Sequence, residues 1–203
     1  MIVLLLPLFL LGEEPDLWQA AKVSKPLNDK YTLSMEGDLR SQNMGEELKY
    51  FHGDAGISFP LVSKLKLSVN FREVFEWKGD SWVQEHRPHG TISTKFDFGL
   101  LGVSARSRFE YRMKQDMDPV IRNRDMVSIK IGKGFTPLKL VPYIADEIFY
   151  DMEESELNRN RLSVGIEIKC FQFVKTAVYF LQQNDLKNDD WESTNVVGMK
   201  FSF

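Results

Sequence analysis

Arg106, Arg108, Glu110 and Arg112 stand at every second position of one short run. Guanidinium groups at that spacing do two kinds of chemistry. Their planar forks meet carboxylates at two points and knit ion-pair networks. Left in excess along a narrow passage, they select anions. Arg40, Arg72, Arg87, Arg122, Arg124 and Arg161 fall on the polar parity of comparable runs, with Glu36, Asp38, Glu147 and Glu167. The first expectation is a structural network of paired charges, since an unpaired buried charge costs several kcal/mol. The second is a basic constriction, because arginine outnumbers carboxylate in this set.

Other chemistry has thinner support. Nucleophilic catalysis needs a serine or threonine beside a histidine. The three histidines are His52, His86 and His89, the last two beside a loop carrying Asp80 and Ser81, and no Gly-x-Ser-x-Gly elbow occurs. No catalytic residue is expected. Asp151, Glu153, Glu154 and Glu156 cluster in one stretch, and Asp185, Asn188, Asp189 and Asp190 in another, without EF-hand spacing. They read as solvated acidic loops, and neither a metal site nor a cofactor is expected. Gly132-x-Gly134 reads as a turn. The single cysteine, Cys170, excludes an intramolecular disulfide and reads as an inert thiol on an apolar parity.

The elements that would carry these side chains are strands. From Val103 to Met113 one parity reads Val103, Ala105, Ser107, Phe109, Tyr111, Met113, and the other holds Ser104 and the charged set. A period of two sends the two sets to opposite faces of a strand. The same alternation recurs through Leu65–Trp77, Ile121–Ile131, Arg161–Lys169 and Tyr31–Arg40, and again at the tail, Val197-Gly198-Met199-Lys200-Phe201-Ser202-Phe203. Eleven segments emerge, near 17–25, 31–40, 48–59, 64–77, 84–97, 102–113, 120–132, 139–151, 159–170, 173–183 and 191–203. Tight connections alternate with longer polar ones, near 41–47, 78–83, 114–119, 152–158 and 184–190. This predicts an all-β antiparallel transmembrane barrel of 10–12 strands, charged inside and apolar outside. An even count is the rule for such barrels, and eleven segments do not satisfy it. Trp18, Tyr31, Trp77, Trp82, Tyr111, Tyr150, Trp191, Phe201 and Phe203 lie near segment ends and suit interfacial girdles.

The apolar run Ile2–Leu11 is too short for a transmembrane helix and reads as a signal peptide over residues 1–12, leaving residues 13–203 as one barrel domain. The 203 residues suffice for a single core. A formal charge of −3, from 26 basic and 29 acidic residues, argues against a nucleic-acid binder. Charged residues at 27% and apolar ones at 43% fit a soluble barrel as well as a membrane one. In a lipocalin-like ligand-binding barrel, the rival reading, the same alternation would point its apolar face inward.

Leu17-Trp18, Arg106-x-Arg108-x-Glu110-Tyr111-Arg112, Arg122-Asn123-Arg124, Glu147-Ile148-Phe149, Asn160-Arg161 followed by Gly165, and the closing Phe201-Ser202-Phe203 together resemble a family of bacterial outer-membrane barrels of unknown function, DUF2490. The resemblance covers nearly the whole mature chain. It implies a secreted barrel in the outer membrane of a Gram-negative bacterium and carries no catalytic residues. The function expected is an outer-membrane barrel, structural or with a narrow charged pore. A lipid-modifying enzyme and the lipocalin-like barrel are the alternatives. Expected partners are outer-membrane lipids, a barrel-assembly machinery reading Phe201 and Phe203 as an assembly signal, and a small anionic solute if the lumen conducts.

Overall fold

The computed structural model describes residues 14–132, 140–171 and 173–203. Eleven strands follow one another: β1 (Asp16–Pro26), β2 (Thr32–Gln42), β3 (Glu47–Val62), β4 (Leu65–Lys78), β5 (Ser81–Phe98), β6 (Leu101–Lys114), β7 (Val120–Ile131), β8 (Val141–Asp151), β9 (Glu156–Phe171), β10 (Val174–Lys187) and β11 (Asp190–Ser202). Each pairs antiparallel with its neighbour in sequence, and β1 closes on β11 to complete a barrel. The proposed leader, residues 1–12, the Gly134 side of the expected turn, and the side chain of Cys170 lie outside the described residues.

The odd count is resolved at the seam. In an up-and-down barrel the first and last of eleven strands run the same way, so they can only pair parallel. They do so from Asp16↔Val196 to Lys22↔Ser202, a departure from the all-antiparallel expectation. Seven residue pairs close the wall, and two backbone bonds extend the seam to the last residue: Phe203 N–H donates to the Lys22 carbonyl at 2.8 Å, and Ser24 N–H to the Phe203 carbonyl at 3.1 Å. No sheet edge is left open along that line, which matters wherever water cannot reach the backbone.

Loop lengths depart from expectation. β4 runs to Lys78 and β5 begins at Ser81; β10 runs to Lys187 and β11 begins at Asp190. Two-residue turns thus replace two of the predicted long loops. Gly79 (φ 60°) takes the first position of one such turn, and Gly99 (φ 64°) that of the β5–β6 turn at the other end.

Apolar side chains point outward. Val23, Met35, Val69, Phe71, Phe109, Val127 and Val164 are each about half exposed. The charged parity points inward. A lipocalin-like barrel would be the reverse, so that alternative fails on the orientation of β6, β7 and β9. The outer wall is not uniform. On β7, Val127, Ile129 and Ile131 are outward near the C-terminal end, whereas Asn123 and Asp125 share that parity toward the opposite end. Outward polar pairs continue around that half: Asn160 donates to Asp146 at 2.7 Å, and Gln84 and His86 bond Glu73 at 2.5 and 2.7 Å.

Inside, small and large residues alternate along one ladder. Tyr143 on β8 pairs Gly165 on β9, which pairs Tyr179 on β10, which pairs Gly198 on β11, which pairs Trp18 on β1. Each tyrosine ring lies over the neighbouring glycine. A Cβ on Gly165 would stand 2.7 Å from both the Tyr143 ring and the Val178 carbonyl. Gly165→Ala is therefore expected to cost about 1–3 kcal/mol of overpacking, measured as a lower urea midpoint for the refolded barrel. Gly53→Ala, where nothing lies within 4 Å, is the control and should leave the midpoint unchanged.

Candidate functional site: a charged belt across the lumen

A barrel of eleven strands is wider than the eight-stranded kind whose side chains readily fill it. Spanning this lumen takes the longest polar side chains, and those are arginines. The structure places the twelve charged residues of the expected network on the inward parity of seven strands, β2 and β4 to β9.

The centre is Glu110 on β6, fully buried at 0% exposure. Arg122, directly opposite on β7, donates twice to it at 2.6 and 3.1 Å, and Arg124 donates at 2.8 Å. Arg108 and Arg87 approach within 3.7 and 3.9 Å. One carboxylate thus serves four guanidiniums. Glu147 on β8 is the second node: Arg106 reaches it at 2.6 Å, Arg124 bonds both its oxygens at 3.0 Å, and Arg161 stands at 3.8 Å. Glu167 lies nearer the C-terminal end and takes Lys130 at 2.6 Å.

Sequence reasoning missed the third node. Glu85, 2% exposed, accepts a two-point fork from Arg112 at 2.8 and 2.9 Å and a bond from Arg87 at 2.7 Å. It stands in Gln84-Glu85-His86-Arg87, where both parities are polar; counting back by twos from Thr91 would have placed it inside. Asp54 was also missed. It accepts from Arg72 at 2.9 Å and Asn70 at 2.7 Å, and its partner His89 is buried in the lumen rather than lying at a loop surface. His52 is buried inside too, 3.9 Å from Glu36 and Asp38, with no hydrogen-bond partner for either ring nitrogen. Only His86 faces outward, on Glu73.

Aromatic rings hold the guanidiniums flat. Arg40 lies 3.8 Å above the Trp18 ring and 4.4 Å from Tyr50, while its Nε donates to Asp38 at 2.7 Å. Arg161 sits 4.8 Å from both Trp18 and Phe149. Phe149 also carries Arg122, Arg124 and Arg159 within 5.5 Å of its centre. Such contacts are worth about 0.5–2 kcal/mol each when desolvated. Trp18 is consequently an inward residue at 6% exposure, not the girdle residue expected. Its inner neighbours are Leu181, Val196 and Tyr179, an apolar patch under the seam.

Acidic side chains of both stretches are engaged by the protein itself. Asp151 accepts the N–H groups of Glu153 and Glu154 in a turn, and Asp185 points inward to pair with Arg159. Among the described residues no group of three or more His, Cys, Asp or Glu side chains could hold a metal ion.

The belt divides the lumen. Toward the loop end a cavity of about 600 Å³ is lined by twelve lysines or arginines and only three acidic residues, Asp16, Glu76 and Asp185. Toward the C-terminal end lies one of about 260 Å³, lined by Ser24, Ser34, Ser58, Ser68 and Thr91 with Arg106 and Arg108. Arg72 lines both. Glu110 and Glu147 are sandwiched between the two sets of arginines and are exposed to neither.

Apolar outside, ionic inside and closed on itself, the molecule has a porin-like barrel fold. Among solved structures it is similar to the NanC porin, at 11% identity and a TM-score of 0.54 over 90% of this chain and 91% of that one. A fainter likeness, to an anion-selective porin from Comamonas acidovorans, has 8% identity and a TM-score of 0.43 and spans 86% of this chain and 53% of that one. No curated protein matches the chain. The model of the family described as "Protein of unknown function (DUF2490)" matches residues 16–194, and the chain belongs to that family.

Proposed function

We propose that the protein is an outer-membrane β-barrel with a narrow, anion-preferring lumen whose constriction is the arginine–carboxylate belt. The observation that carries this reading is the sorting of charge in the wide cavity, twelve cations against three anions. Low-dielectric walls focus such a field and raise the local concentration of counter-ions. Outward Val69, Phe109, Val127, Ile129, Ile131 and Val164 lie toward the end that holds Phe203. Outward Glu73, Gln84, His86, Asn123, Asp125, Asp146 and Asn160 lie nearer the loops, and Trp82, Tyr111 and Ile121 stand outward beyond them. The bilayer then surrounds the apolar wall at the C-terminal end of the barrel, and the outward polar pairs interrupt that wall toward the loops. Outer-membrane lipids are the partners of the apolar belt.

Single-channel recording across a planar bilayer under a KCl gradient tests the reading. Small discrete openings with a reversal potential favouring chloride are expected, and Arg108→Ala should weaken that preference. A silent barrel in both forms would mean a plugged, purely structural lumen; cation selectivity would sink the anion reading.

We further propose that Phe203 is read during assembly. Its ring is half exposed at the end of the outward parity. Deleting Phe203 should lower the fraction of chain that shows the heat-dependent gel mobility of a folded barrel in membranes. Unchanged insertion would remove this role.

A further inference from the structure

We infer that the loop-end cavity is a binding site for a soluble multivalent oxyanion, a compact solute carrying clustered phosphates or carboxylates. This deepens the proposed function: it needs the same inward field, and it names what the field would hold.

Three observations converge. The first is charge. Cross-strand neighbours in the lumen include Arg72 opposite Arg87 and Arg108 opposite Arg124, like charges that repel unless an anion lies between them. Asp54 and Glu110 neutralise part of this. The remaining carboxylates of the belt are turned away behind their arginines and do not line the cavity. Lys114 lines it with no ion pair to any described residue, and the polar partners of Arg161 there, among the described residues, are Gln183 at 2.7 Å and Glu147 at 3.8 Å.

The second is shape. A volume near 600 Å³ lies within the ordinary range for a small-molecule site, about 300–1,000 Å³. The cavity opens along the barrel axis, with lining residues from Gln42, Lys78 and Lys187 at the loop end down to Arg124 in the belt. A solute reaches it from water, whereas a lipid headgroup in the bilayer lies outside the wall.

The third is what the rings are used for. The faces of Trp18 and Phe149 are occupied by guanidiniums, Arg40 and Arg161 on one and four arginines on the other. Little of those two faces remains bare to stack an apolar or sugar ring. Stacking instead holds the arginines flat with their forks fixed, the preorganisation that phosphate and carboxylate recognition uses. Ligand charge, rather than ligand surface, is what this site is built to meet.

The test is equilibrium titration of the refolded barrel, in a non-ionic detergent at low salt, with inorganic tripolyphosphate and in parallel with citrate, read by calorimetry and tryptophan fluorescence. Saturable one-site binding of either probe is expected, at least tenfold tighter than orthophosphate and weakening steeply with salt. Lys114→Gln and Arg161→Gln should each weaken it about tenfold. Lys66→Gln, at the other mouth of the lumen, should not. Heat-dependent gel mobility reports whether each variant is folded, and Lys114→Gln, which breaks no ion pair, keeps the test decisive if Arg161→Gln fails to fold. No saturable binding of either probe, affinity equal to that of orthophosphate, or equal loss in Lys66→Gln would overturn the inference. The pore is tested separately: a silent barrel that binds removes the conduction reading and leaves this site, and a conducting barrel that does not bind removes the site alone.

Discussion

Glu110→Ala is expected to destabilise the barrel by about 3–5 kcal/mol, the range for removing one partner from a buried ion pair. The variant keeps four arginines and takes away the carboxylate they share. Arg122 and Arg124 lose direct bonds of 2.6 and 2.8 Å, while Arg108 and Arg87 lose an opposite charge within 4 Å. Water cannot simply replace it, because Glu110 has no exposure at all. Glu167→Ala offers the contrast. Its partners, Lys130 at 2.6 Å and Lys175 at 3.8 Å, are partly solvated, and the cost there should be about 1 kcal/mol or less. Urea midpoints of the refolded barrels measure both. A second substitution, Arg122→Gln in the Glu110→Ala background, should recover part of the loss, because it removes one of the stranded charges. Equal midpoints for the Glu110 and Glu167 variants would show that the belt is solvated and that its geometry does not set stability.

Much of this architecture was legible in the residues, and the legible parts share a cause. Where a strand crosses the apolar belt, one parity is forced to be apolar and the other is free to be charged. Val103–Met113 and Arg161–Lys169 declare themselves for that reason. Toward the loop end the outward face is polar as well, so alternation fades and strands look like loops. The stretch 184–190 was misread in this way: Asp185 and Lys187 face inward on a continuing strand, one paired with Arg159 and the other with Glu192. The same blurring hid Glu85. Trp18 was hidden differently. Its neighbours Gln19, Ala20, Ala21 and Lys22 give little contrast between parities, and an aromatic near a strand end resembles a girdle residue from spacing alone. Nor does any local pattern show that eleven strands will close through a parallel seam. That follows only from counting them, and the count was the one number the expectation of an even barrel resisted.

The seam makes Trp18 the second position where a large effect is expected. Trp18→Ala should cost about 3–5 kcal/mol, the usual range for emptying a buried tryptophan site. The ring fills the space beside Gly198, where no side chain from β11 can replace it, because Tyr179 already covers that glycine. Leu181 and Val196 would face a void. The loss also frees two guanidiniums, Arg40 and Arg161, from the ring that holds them. Stability and the proposed conductance should therefore change together: a lower urea midpoint, and larger or noisier openings of the proposed pore as the two side chains move and the wide cavity gains volume. Trp77→Ala separates this from a generic tryptophan effect. Trp77 packs edge-on against Trp82, its cross-strand neighbour near the loop end, and its removal should cost about 1 kcal/mol, the worth of one such aromatic pair. If the two variants were equally stable, the inward ring would not be what braces the seam, and the closure of β1 on β11 would have to rest on its backbone bonds alone.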